Sequence, residues 1–449
     1  MRQFVSELKT FLSKDSIITE RDIILKYSED KSTIFKSLPP LVIKPNSKEE
    51  IIKIVKLCNK YKIKITSWGA GTSVTGACLS FSENNIILSL EKMNKIIEID
   101  VNNLIAVVEP AVITGELKRE VEKYNLFYPP DPASYDSSTI GGNVATNAGG
   151  ASTVKYGVTG DYVTGIEVVL GNGDVLQLGG KFIKNSSGYN LKDIFIGSEG
   201  TLGIITKIFL KLLPKPEEKI SIYVTFDELY NLLDAINILF RSSILPCSIE
   251  YMDDIVLKYL NQKYNLPDKN ARASVIIELD ENREKMIKIY EIFEKLEGFI
   301  NFYPLENPVK EREIWSARRS IGEVLRENCK YIGKADISVP RGNVKEVIYR
   351  IKKLCENFNV EVACFGHAGD GNIHVNFLFN KNVSKELIKK MYKIVKDFNG
   401  TPSGEHGIGV LKKEYLIEFF GKSQIEYMRN IKKIFDPNNI LNPDKIFDL

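Results

Sequence analysis

The chain has 449 residues, of which 43% are hydrophobic and 27% charged, and this length and composition predict a soluble globular protein of two or three domains. Its 61 Lys and Arg residues against 58 Asp and Glu residues leave a formal charge of +3, which argues against a nucleic-acid partner. The six cysteines show no C-x-x-C pair and no cluster spacing, so we expect reduced thiols, a cytoplasmic setting and no iron–sulfur centre in this chain.

The N-terminal segment predicts a short helix and no targeting signal. It lacks the apolar core of a signal peptide, and no apolar run approaches the roughly 20 residues of a membrane span. Apolar residues at positions 4, 5, 8, 11 and 12 predict a short amphipathic helix. The charges of Glu7 and Asp15 favour a helix that docks on the protein, and peripheral contact with a membrane stays open as the alternative.

A glycine-rich turn follows the first long helix. Ser47 and Glu50 form a capping box for a helix that ends near Tyr61. A strand at 63–67 then leads into the turn at 69–73. Such a turn presents backbone N–H groups to an anion, most often a pyrophosphate, although a plain structural loop is an equal alternative. The turn follows neither the G-x-G-x-x-G nor the Walker pattern.

Short strands at 86–90, 96–100 and 106–109 and a helix at about 115–124 precede a long irregular stretch. This stretch, PPDPASYDSSTIGGNVATNAGG, occupies residues 129–150. A loop of that length inside a compact domain is usually functional. Its glycine pairs and small hydroxyl or amide side chains suit close wrapping around a flat ligand with polar edges. Further on, GSEGTLGIIT at 197–206 predicts a turn that opens into an apolar strand.

Prolines 214 and 216, with charges between and after them, indicate a domain boundary. We therefore predict domains at 1–216 and 217–400 and a C-terminal segment at 401–449. The second domain alternates strands and helices, which predicts an α+β region. In it, Asn343 and Glu346 are expected to cap a helix, and residues 360–365 a strand.

All three histidines of the chain lie in two glycine-rich stretches. His367 and His374 belong to GHAGDGNIHVN, and His406 belongs to SGEHGIG. Imidazole is the commonest metal ligand and titrates near neutral pH, so these histidines with Glu405 and Asn376 indicate a metal site that also has a base. The alternative is a set of hydrogen-bonded turn histidines without a chemical role.

Side-chain direction suggests how these residues divide the work. The strand-like pattern IHVNFLF puts His374 and Asn376 on one face. Neighbouring side chains diverge in an extended stretch, so we predict Glu405 as a metal ligand and His406 as the residue that faces the substrate. The predicted ligands His367, His374 and Glu405 suit zinc, iron(II) or manganese, and ligand softness does not choose among them.

These motifs together resemble a known family. In order and spacing, WGAGTSVTG, PPDPAS, STIGGNVATNAGG and SEGTLGIIT resemble the FAD-binding domain of the vanillyl-alcohol oxidase/p-cresol methylhydroxylase flavoproteins. GHAGDGNIHVN and SGEHGIG are similar to motifs of the FAD-linked D-2-hydroxyacid dehydrogenases, which include D-lactate dehydrogenase, the glycolate oxidase flavin subunit and D-2-hydroxyglutarate dehydrogenase. The resemblance extends from about Pro45 to Pro443. It implies an α+β fold with a two-part FAD-binding domain of the p-cresol methylhydroxylase type and an α+β substrate cap domain, after which the segment 401–449 returns to the FAD domain.

The resemblance implies noncovalent FAD in the first domain. The pyrophosphate is expected on residues 69–73 and the ring against 132–134, 139–143 and 199–205. No histidine occupies the turn, so the histidyl flavin link of some relatives is excluded, and Trp68 stands where many relatives carry a phosphate-binding Arg. The predicted cofactor-binding residues are Gly69, Ala70, Gly71, Thr72, Ser73, Gly76, Pro132, Ala133, Ser134, Thr139, Gly141, Gly142, Asn143, Thr146, Asn147, Gly149, Glu199, Gly203, Ile204 and Ile205.

The resemblance also implies the substrate and the reaction. Arg318 and Lys334 match the positions that hold the substrate carboxylate, although adjacent arginines usually form a solvated basic face, as we expect for Arg319. The implied reaction oxidises a D-2-hydroxyacid to the 2-oxoacid, with lactate first and glycolate or 2-hydroxyglutarate as alternatives. The predicted catalytic residues are His406, Arg318, Lys334 and Asn376.

The electron acceptor and two competing functions complete the sequence predictions. Without iron–sulfur spacing in the chain, electrons are expected to leave to an electron-transfer flavoprotein, an iron–sulfur subunit or a quinone. A metal-dependent hydrolase competes with this function, because two histidines and a glutamate also suit water activation. A non-catalytic FAD-carrying electron-transfer subunit is the other alternative, but it would have no reason to keep metal-binding histidines.

Overall fold

The computed structural model describes residues 1–379 and 384–449. Its contacts divide the chain into two compact units. Unit 1 comprises Met1–Gly149, Val158–Lys215 and Glu405–Leu449, and unit 2 comprises Gly150–Gly157 and Pro216–Gly404. Each unit therefore contains segments that are distant in sequence, which a linear division of the chain into domains cannot express.

The strands and α-helices of the described residues are as follows. The strands are β1 (Ile17–Ile18), β2 (Val42–Ile43), β3 (Lys64–Trp68), β4 (Asn85–Ser89), β5 (Ile96–Asp100), β6 (Ile105–Val108), β7 (Leu126–Phe127), β8 (Val163–Val169), β9 (Val175–Gly179), β10 (Ile204–Lys211), β11 (Leu213–Pro214), β12 (Ile220–Phe226), β13 (Ser248–Met252), β14 (Ala273–Leu279), β15 (Phe299–Pro304), β16 (Tyr331–Ser338), β17 (Glu361–His367) and β18 (Asn372–Phe379). The helices are α1 (Arg2–Leu8), α2 (Arg21–Ile24), α3 (Lys48–Tyr61), α4 (Thr114–Glu122), α5 (Ile140–Thr146), α6 (Thr153–Tyr156), α7 (Lys192–Phe195), α8 (Leu229–Leu239), α9 (Asp254–Leu260), α10 (Arg283–Phe293), α11 (Pro308–Asn328), α12 (Val344–Asn357), α13 (Lys385–Asp397) and α14 (Lys413–Phe435).

Unit 1 contains a four-stranded sheet in the order β1-β2-β4-β3, in which β2, β4 and β3 run parallel. Helix α3 begins as predicted, because the Ser47 side chain accepts a hydrogen bond from the Glu50 backbone N–H. Its buried residues Ile51, Ile54 and Val55 belong to the same apolar core as β3 and β4. This sheet therefore supports β3, the strand that leads into the glycine-rich turn.

The C-terminal segment belongs to unit 1 and pairs with β3. The backbone N–H of Ile65 donates to the carbonyl of Ile440 at 2.7 Å, and the N–H of Asn442 donates to the carbonyl of Ile65 at 2.6 Å. Buried Lys432 donates to the carbonyls of Thr201 and Leu441 at 2.6 and 2.7 Å. The last residues thus extend the sheet next to the turn.

A second sheet of unit 1 has the order β5-β6-β10-β8-β9, with every neighbouring pair antiparallel.

The stretch 129–150 of unit 1 is not irregular throughout, because residues Ile140–Thr146 form helix α5. The Thr139 hydroxyl caps this helix by accepting from the Gly142 N–H. A Cβ on Gly141 would lie 2.6 Å from Pro110, so close packing requires glycine at this position. A glycine pair has a low helix propensity, and for that reason the sequence does not predict this helix.

Unit 2 is built on a seven-stranded sheet in the order β15-β12-β14-β13-β17-β18-β16, with antiparallel neighbours throughout. The register sets His367 opposite Glu250, His374 opposite Asp336, and Asn376 opposite Lys334. Directly opposed residues share a face, and so do residues two apart along a strand. The functional candidates of unit 2 therefore lie on one face of this sheet.

Helix α12 of unit 2 begins where the sequence predicts, but the predicted cap is wrong. Asn343 has φ −97° and ψ −7°, and its side chain makes no cap hydrogen bond. It donates instead to the carbonyl of Phe398 at 3.4 Å, because the preceding turn at Arg341–Asn343 is already helical.

No helix within residues 1–379 and 384–449 combines the length and apolar composition needed to cross a bilayer.

Candidate functional site

Unit 1 contains a cavity of about 410 Å³. The glycine-rich turn, the loop before α5, α5 itself and the turn before β10 all contribute to its wall. All the predicted cofactor-binding residues line this cavity except Gly76, Asn147 and Ile204. Most of the residues that the sequence assigns to a cofactor are therefore brought together from four separate stretches of the chain.

The three exceptions hold the wall from behind. The N–H of Gly76 donates to Asp30 at 2.8 Å, and the Asn147 side chain accepts from the N–H of Gly160 at 2.8 Å. Ile204 is 1% exposed within the apolar core of unit 1. The structure thus assigns these residues a supporting position and not direct contact with the cavity.

The conformation of the glycine-rich turn depends on Gly71. This residue has φ +69°, and a Cβ added to it would lie 2.4 Å from the Trp68 ring. Trp68 is 6% exposed and packs edge-on against Tyr27 with ring centroids 5.1 Å apart. Glycine is therefore required both by the backbone conformation and by the close approach of the indole.

Lys31 also lines the cavity, and sequence analysis missed it. Its backbone N–H donates to the carbonyl of Ser73, the last residue of the turn, at 2.9 Å. The positive charge of a lysine complements a phosphate. Lys31 can therefore supply a charge at this cavity, where Trp68 stands in place of the phosphate-binding arginine that the family resemblance implies. No local signal marks Lys31, since it lies far from the turn in sequence.

Glu199 fixes the segment that carries Glu405 and His406. Its carboxylate accepts from the N–H groups of Ile408 and Gly409 at 2.7 and 2.8 Å. Burial raises the pKa of Glu199, and these two hydrogen bonds oppose the rise. Glu199 also has φ +51°, a conformation that non-glycine residues adopt only when their surroundings hold them.

Glu405 and His406 both line the cavity, but their side chains do not diverge as predicted. His406 Nε2 lies 3.4 Å from Glu405 Oε1. The prediction assumed an extended backbone, whereas the chain bends at 404–406 and Gly407 has φ +78°. The bend brings the two side chains together, so their separate roles do not follow from strand alternation.

In unit 2, one buried carboxylate joins a histidine to an arginine. Glu250 is 1% exposed, and its Oε1 lies 2.5 Å from His367 Nδ1. Its Oε2 lies 2.5 Å from Arg318 Nη2, a short ion pair whose angle is outside the range of a hydrogen bond. Burial alone would raise the pKa of Glu250, but the positive charge of Arg318 and the interaction with His367 outweigh burial and leave the pKa below its usual value.

The two histidines of unit 2 are neighbours. Their ring centroids are 5.3 Å apart, and the His374 ring lies 5.1 Å from that of Phe365. His374 Nδ1 is 3.8 Å from Asp336, whose carboxylate accepts from Asn372 Nδ2 at 2.6 Å. Each histidine thus has a carboxylate on its Nδ1 side, an arrangement that commonly orients Nε2 toward a metal.

The remaining candidates of unit 2 are cationic or polar. Arg318 is 8% exposed, its guanidinium lies 4.9 Å from the Phe365 ring centroid, and its Nε has no hydrogen-bond partner among residues 1–379 and 384–449. Asn376 is buried opposite Lys334. The surrounding protein and the charge of Arg326 lower the pKa of Lys334 to about 8, although the side chain is exposed and solvent moderates this shift.

Glu250 and Asp336 are the functional candidates that sequence analysis missed in unit 2. Each is an acidic residue inside a strand of otherwise apolar pattern, SIEYM and YIGKADIS. A glutamate or aspartate is rarely buried unless it is paired, so an acid at an inward position of a strand is a usable signal. Pairing across the sheet was needed to show which residues they serve.

Two family models match the chain. The FAD binding domain model covers residues 39–179, and the model of the FAD linked oxidases, C-terminal domain, covers residues 215–446. Similar curated proteins include the glycolate oxidase subunit GlcD of Bacillus subtilis, which is 36% identical and covers 94% of this chain and 92% of the relative. The D-lactate dehydrogenase of Anaerostipes hadrus is 34% identical, with 99% and 97% covered. The D-2-hydroxyglutarate dehydrogenase of Stutzerimonas stutzeri is 31% identical, with 99% and 98% covered.

Solved structures show the same fold. An alkyldihydroxyacetonephosphate synthase gives a TM-score of 0.78 at 22% identity and covers 99% of this chain and 86% of the other. A p-cresol methylhydroxylase gives a TM-score of 0.79 at 19% identity and covers 100% and 97%. The predicted α+β fold, with a two-part FAD-binding domain of the p-cresol methylhydroxylase type and an α+β second domain, is confirmed.

Proposed function

This chain belongs to the FAD-linked D-2-hydroxyacid dehydrogenase family, and from that premise we propose that it oxidises a D-2-hydroxyacid, D-lactate first, to the 2-oxoacid. The family assignment makes the protein an FAD-linked oxidoreductase with FAD as its cofactor. Relatives named for glycolate, D-lactate and D-2-hydroxyglutarate share the 2-hydroxycarboxylate group. The proposal therefore concerns that group first and its side chain second.

The observation that carries the proposal is the cluster of side chains on one face of the unit 2 sheet. Two adjacent imidazoles, His367 and His374, occur with a buried guanidinium, that of Arg318, whose Nε has no hydrogen-bond partner among residues 1–379 and 384–449. A 2-hydroxycarboxylate offers both a pair of oxygens for a metal and a negative charge for a guanidinium. The cluster fits both parts of that group.

We infer that His367, His374 and Glu405 hold a divalent metal. The donor set fits, because two neutral imidazoles and one carboxylate suit zinc, iron(II) or manganese and leave positions for substrate oxygens. Gly404 N–H donates to Asp336 at 3.2 Å beside His374, and Glu405 is the next residue along the chain. A metal in this set would act as a Lewis acid that lowers the pKa of the substrate hydroxyl.

The residues of the chain would then divide the reaction. Arg318 and Lys334 hold the substrate carboxylate, and Asn376, opposite Lys334 on β18, donates to a substrate oxygen. His406 removes the hydroxyl proton as the general base. Bound FAD would supply the two-electron acceptor for the C2 hydrogen and its electron pair. The product is the 2-oxoacid, and the proton stays on His406 until it exchanges with solvent.

We propose that FAD is bound without a covalent link. The glycine-rich turn contains no histidine, and the cysteine that lines the cavity, Cys78, is a poor nucleophile because burial raises the pKa of its thiol. Lys31 would supply a positive charge for the pyrophosphate. Acid precipitation is expected to release all flavin into the supernatant, and flavin that stays in the protein pellet would contradict the proposal.

The electrons are proposed to leave to a separate partner. The spacing of the six cysteines, which form no C-x-x-C pair, supports this proposal, and all six are without a disulfide bond. An electron-transfer flavoprotein, an iron–sulfur subunit or a quinone would accept the electrons. An artificial dye replaces this partner in an assay and separates substrate oxidation from partner choice.

The deciding experiment is a panel of D- and L-2-hydroxyacids assayed with a dye acceptor. We expect activity with D-acids and little with L-acids, and we expect exhaustive chelation to abolish turnover while FAD stays bound. Full activity after metal removal would exclude the metal role. Absence of oxidation with every acid would refute the function, and it would leave a non-catalytic electron-transfer subunit if FAD is bound or a metal-dependent hydrolase if it is not.

A further inference from the structure

We propose that Glu250 is the positioning residue that prepares His367 for the metal and Arg318 for the substrate carboxylate at the same time. This inference rests on the proposed function, since it names what orients two of its residues. Glu250 lies on β13, His367 at the end of β17 and Arg318 on α11, so the carboxylate connects three elements of unit 2.

On the histidine side, Glu250 determines which ring nitrogen carries the proton. The 2.5 Å contact joins a carboxylate oxygen to Nδ1, so Nδ1 must be the protonated nitrogen of a neutral ring. The lone pair then lies on Nε2, which is the form a metal requires. Removal of Glu250 takes away the acceptor that holds the proton on Nδ1.

On the arginine side, Glu250 orients a charge that would otherwise be buried alone. Arg318 is 8% exposed, and its charge is paired by Glu250 Oε2 and faced by the Phe365 ring. A guanidinium clamped at Nη2 and on its flat face keeps its remaining N–H groups in one direction. Nε is a buried donor that has no hydrogen-bond partner among the described residues.

The double contact explains why a carboxylate is needed. Oε1 accepts the hydrogen bond from His367 Nδ1, while Oε2 forms the ion pair with the Arg318 guanidinium. A glutamine of the same size offers only one acceptor oxygen, and its NH₂ group would face a donor on the other side. Glu250→Gln therefore preserves volume, breaks one of the two contacts and weakens the other, because the negative charge is removed.

The first test measures metal affinity and steady-state kinetics of the Glu250→Gln holoenzyme against the parent. We expect zinc affinity to fall about 10- to 100-fold, as for other residues that orient metal-bound histidines. With saturating metal, we expect KM for the D-acid to rise at least about tenfold, since a charge-assisted contact is misdirected. Unchanged zinc affinity and KM would overturn the proposal, and so would a lower KM.

The matched control is Glu278→Gln. Glu278 lies on β14 of the same sheet, is 8% exposed and pairs with exposed Lys219 at 2.8 Å, away from both histidines in register. This substitution removes a comparable negative charge at a residue outside the cluster of His367, His374 and Arg318. Zinc affinity and KM are expected to match those of the parent, and a loss equal to that of Glu250→Gln would overturn the proposal by showing a general effect of charge removal from the sheet.

A second test needs neither metal nor activity. With only three histidines in the chain, ¹⁵N-histidine spectra of the metal-free protein can be assigned with His374→Asn and His406→Asn. We expect His367 in the Nδ1–H form in the parent and a mixture of tautomers in Glu250→Met, which keeps the volume but removes the acceptor. The Nε2–H form in the parent would overturn the proposal even if no Glu250 variant folds.

These two tests separate the inference from the function on which it rests. If the parent oxidises no D-acid, the proposed function fails, while the tautomer measurement still decides the contact between Glu250 and His367. If the parent is active and Glu250→Gln behaves like the parent, only the role of Glu250 fails.

Discussion

The cavity of unit 1 and the side-chain cluster of unit 2 are built in opposite ways. The cavity wall consists mainly of glycines, small residues and backbone from a few continuous turns, with few ionisable groups such as Lys31 and Glu199. The cluster consists of charged, imidazole and amide side chains, of which each of four strands and one helix contributes one or two. A large cofactor needs shape and backbone donors, whereas a small charged substrate and a metal need individually placed side chains.

This difference predicts which kind of substitution should impair each site. A cavity made of backbone is sensitive to added atoms, since a Cβ added to Gly69 or Gly71 would lie within 3 Å of a neighbouring side chain. A cluster made of side chains is sensitive to removed atoms, since its members orient one another through hydrogen bonds and ion pairs. The two sites should therefore respond to different substitutions and lose different properties.

The largest expected effect is that of His374→Ala. Removal of one of three proposed ligands should lower bound metal to background and abolish D-acid oxidation, while flavin content and absorbance stay at the parent level. Metal analysis and a flavin spectrum of the same preparation measure both. Loss of flavin together with metal would break the comparison, because it would show that the two sites depend on each other.

The same difference determines how much could be predicted from sequence. Of the 20 predicted cofactor-binding residues, 17 line the cavity, because they occur in continuous motifs such as Gly69 to Ser73, where one turn supplies several lining residues. His367 and His374 were found because histidine is rare in this chain. Glu250 was missed because its partner His367 is 117 residues away, and only the register between β13 and β17 brings them together.

Two further misses have local physical causes. Helix α5 was missed because glycine pairs disfavour helix, whereas the Thr139 cap and close packing against Pro110 stabilise it. The contact between Glu405 and His406 was missed because two flanking glycines bend the chain where an extended backbone was assumed. In each case tertiary context decides a backbone that single-residue preferences leave open.

His406→Ala should give the next largest effect. A positioned base contributes roughly 10²–10⁴ in rate, so flavin reduction by excess D-acid should slow by about that factor while metal and FAD contents stay intact. Stopped-flow absorbance isolates this half-reaction from the acceptor. This variant sharpens the comparison because His406 lies in the cavity wall of unit 1 yet should affect chemistry and not cofactor binding. Flavin reduction at the parent rate would exclude His406 as the base.

Gly71→Ala tests the cavity with an added atom. The new Cβ would lie 2.4 Å from the Trp68 ring at a residue with φ +69°, so the turn must shift. FAD binding must return the shifted turn to the parent conformation, and a backbone strain of about 1–2 kcal/mol in that conformation corresponds to roughly a tenfold loss in FAD affinity, measured by flavin titration of the apoprotein. Gly342→Ala is the matched control, since it has no neighbour within 4 Å and no positive φ. Equal FAD affinity in Gly71→Ala and the parent would show that the turn tolerates side chains.

The smallest expected effect is a pH dependence carried by Lys334. Its pKa is lowered to about 8, so the ammonium that would bind the substrate carboxylate is present below that pH and is lost as the pH rises through it. With a pKa of about 8 the protonated fraction falls roughly tenfold between pH 7 and 9, and because solvent moderates the shift this is an upper limit for the fall in kcat/KM. Lys334→Arg keeps its charge throughout this range, so it should flatten the alkaline limb even if its absolute activity is lower. FAD affinity should not follow the same curve, because the cavity of unit 1 is built mainly from backbone and small side chains. An alkaline limb that persists in Lys334→Arg would assign the titration to another group. A parallel loss of FAD between pH 7 and 9 would do the same, and it would also remove the distinction between a site made of charged side chains and a site made of backbone.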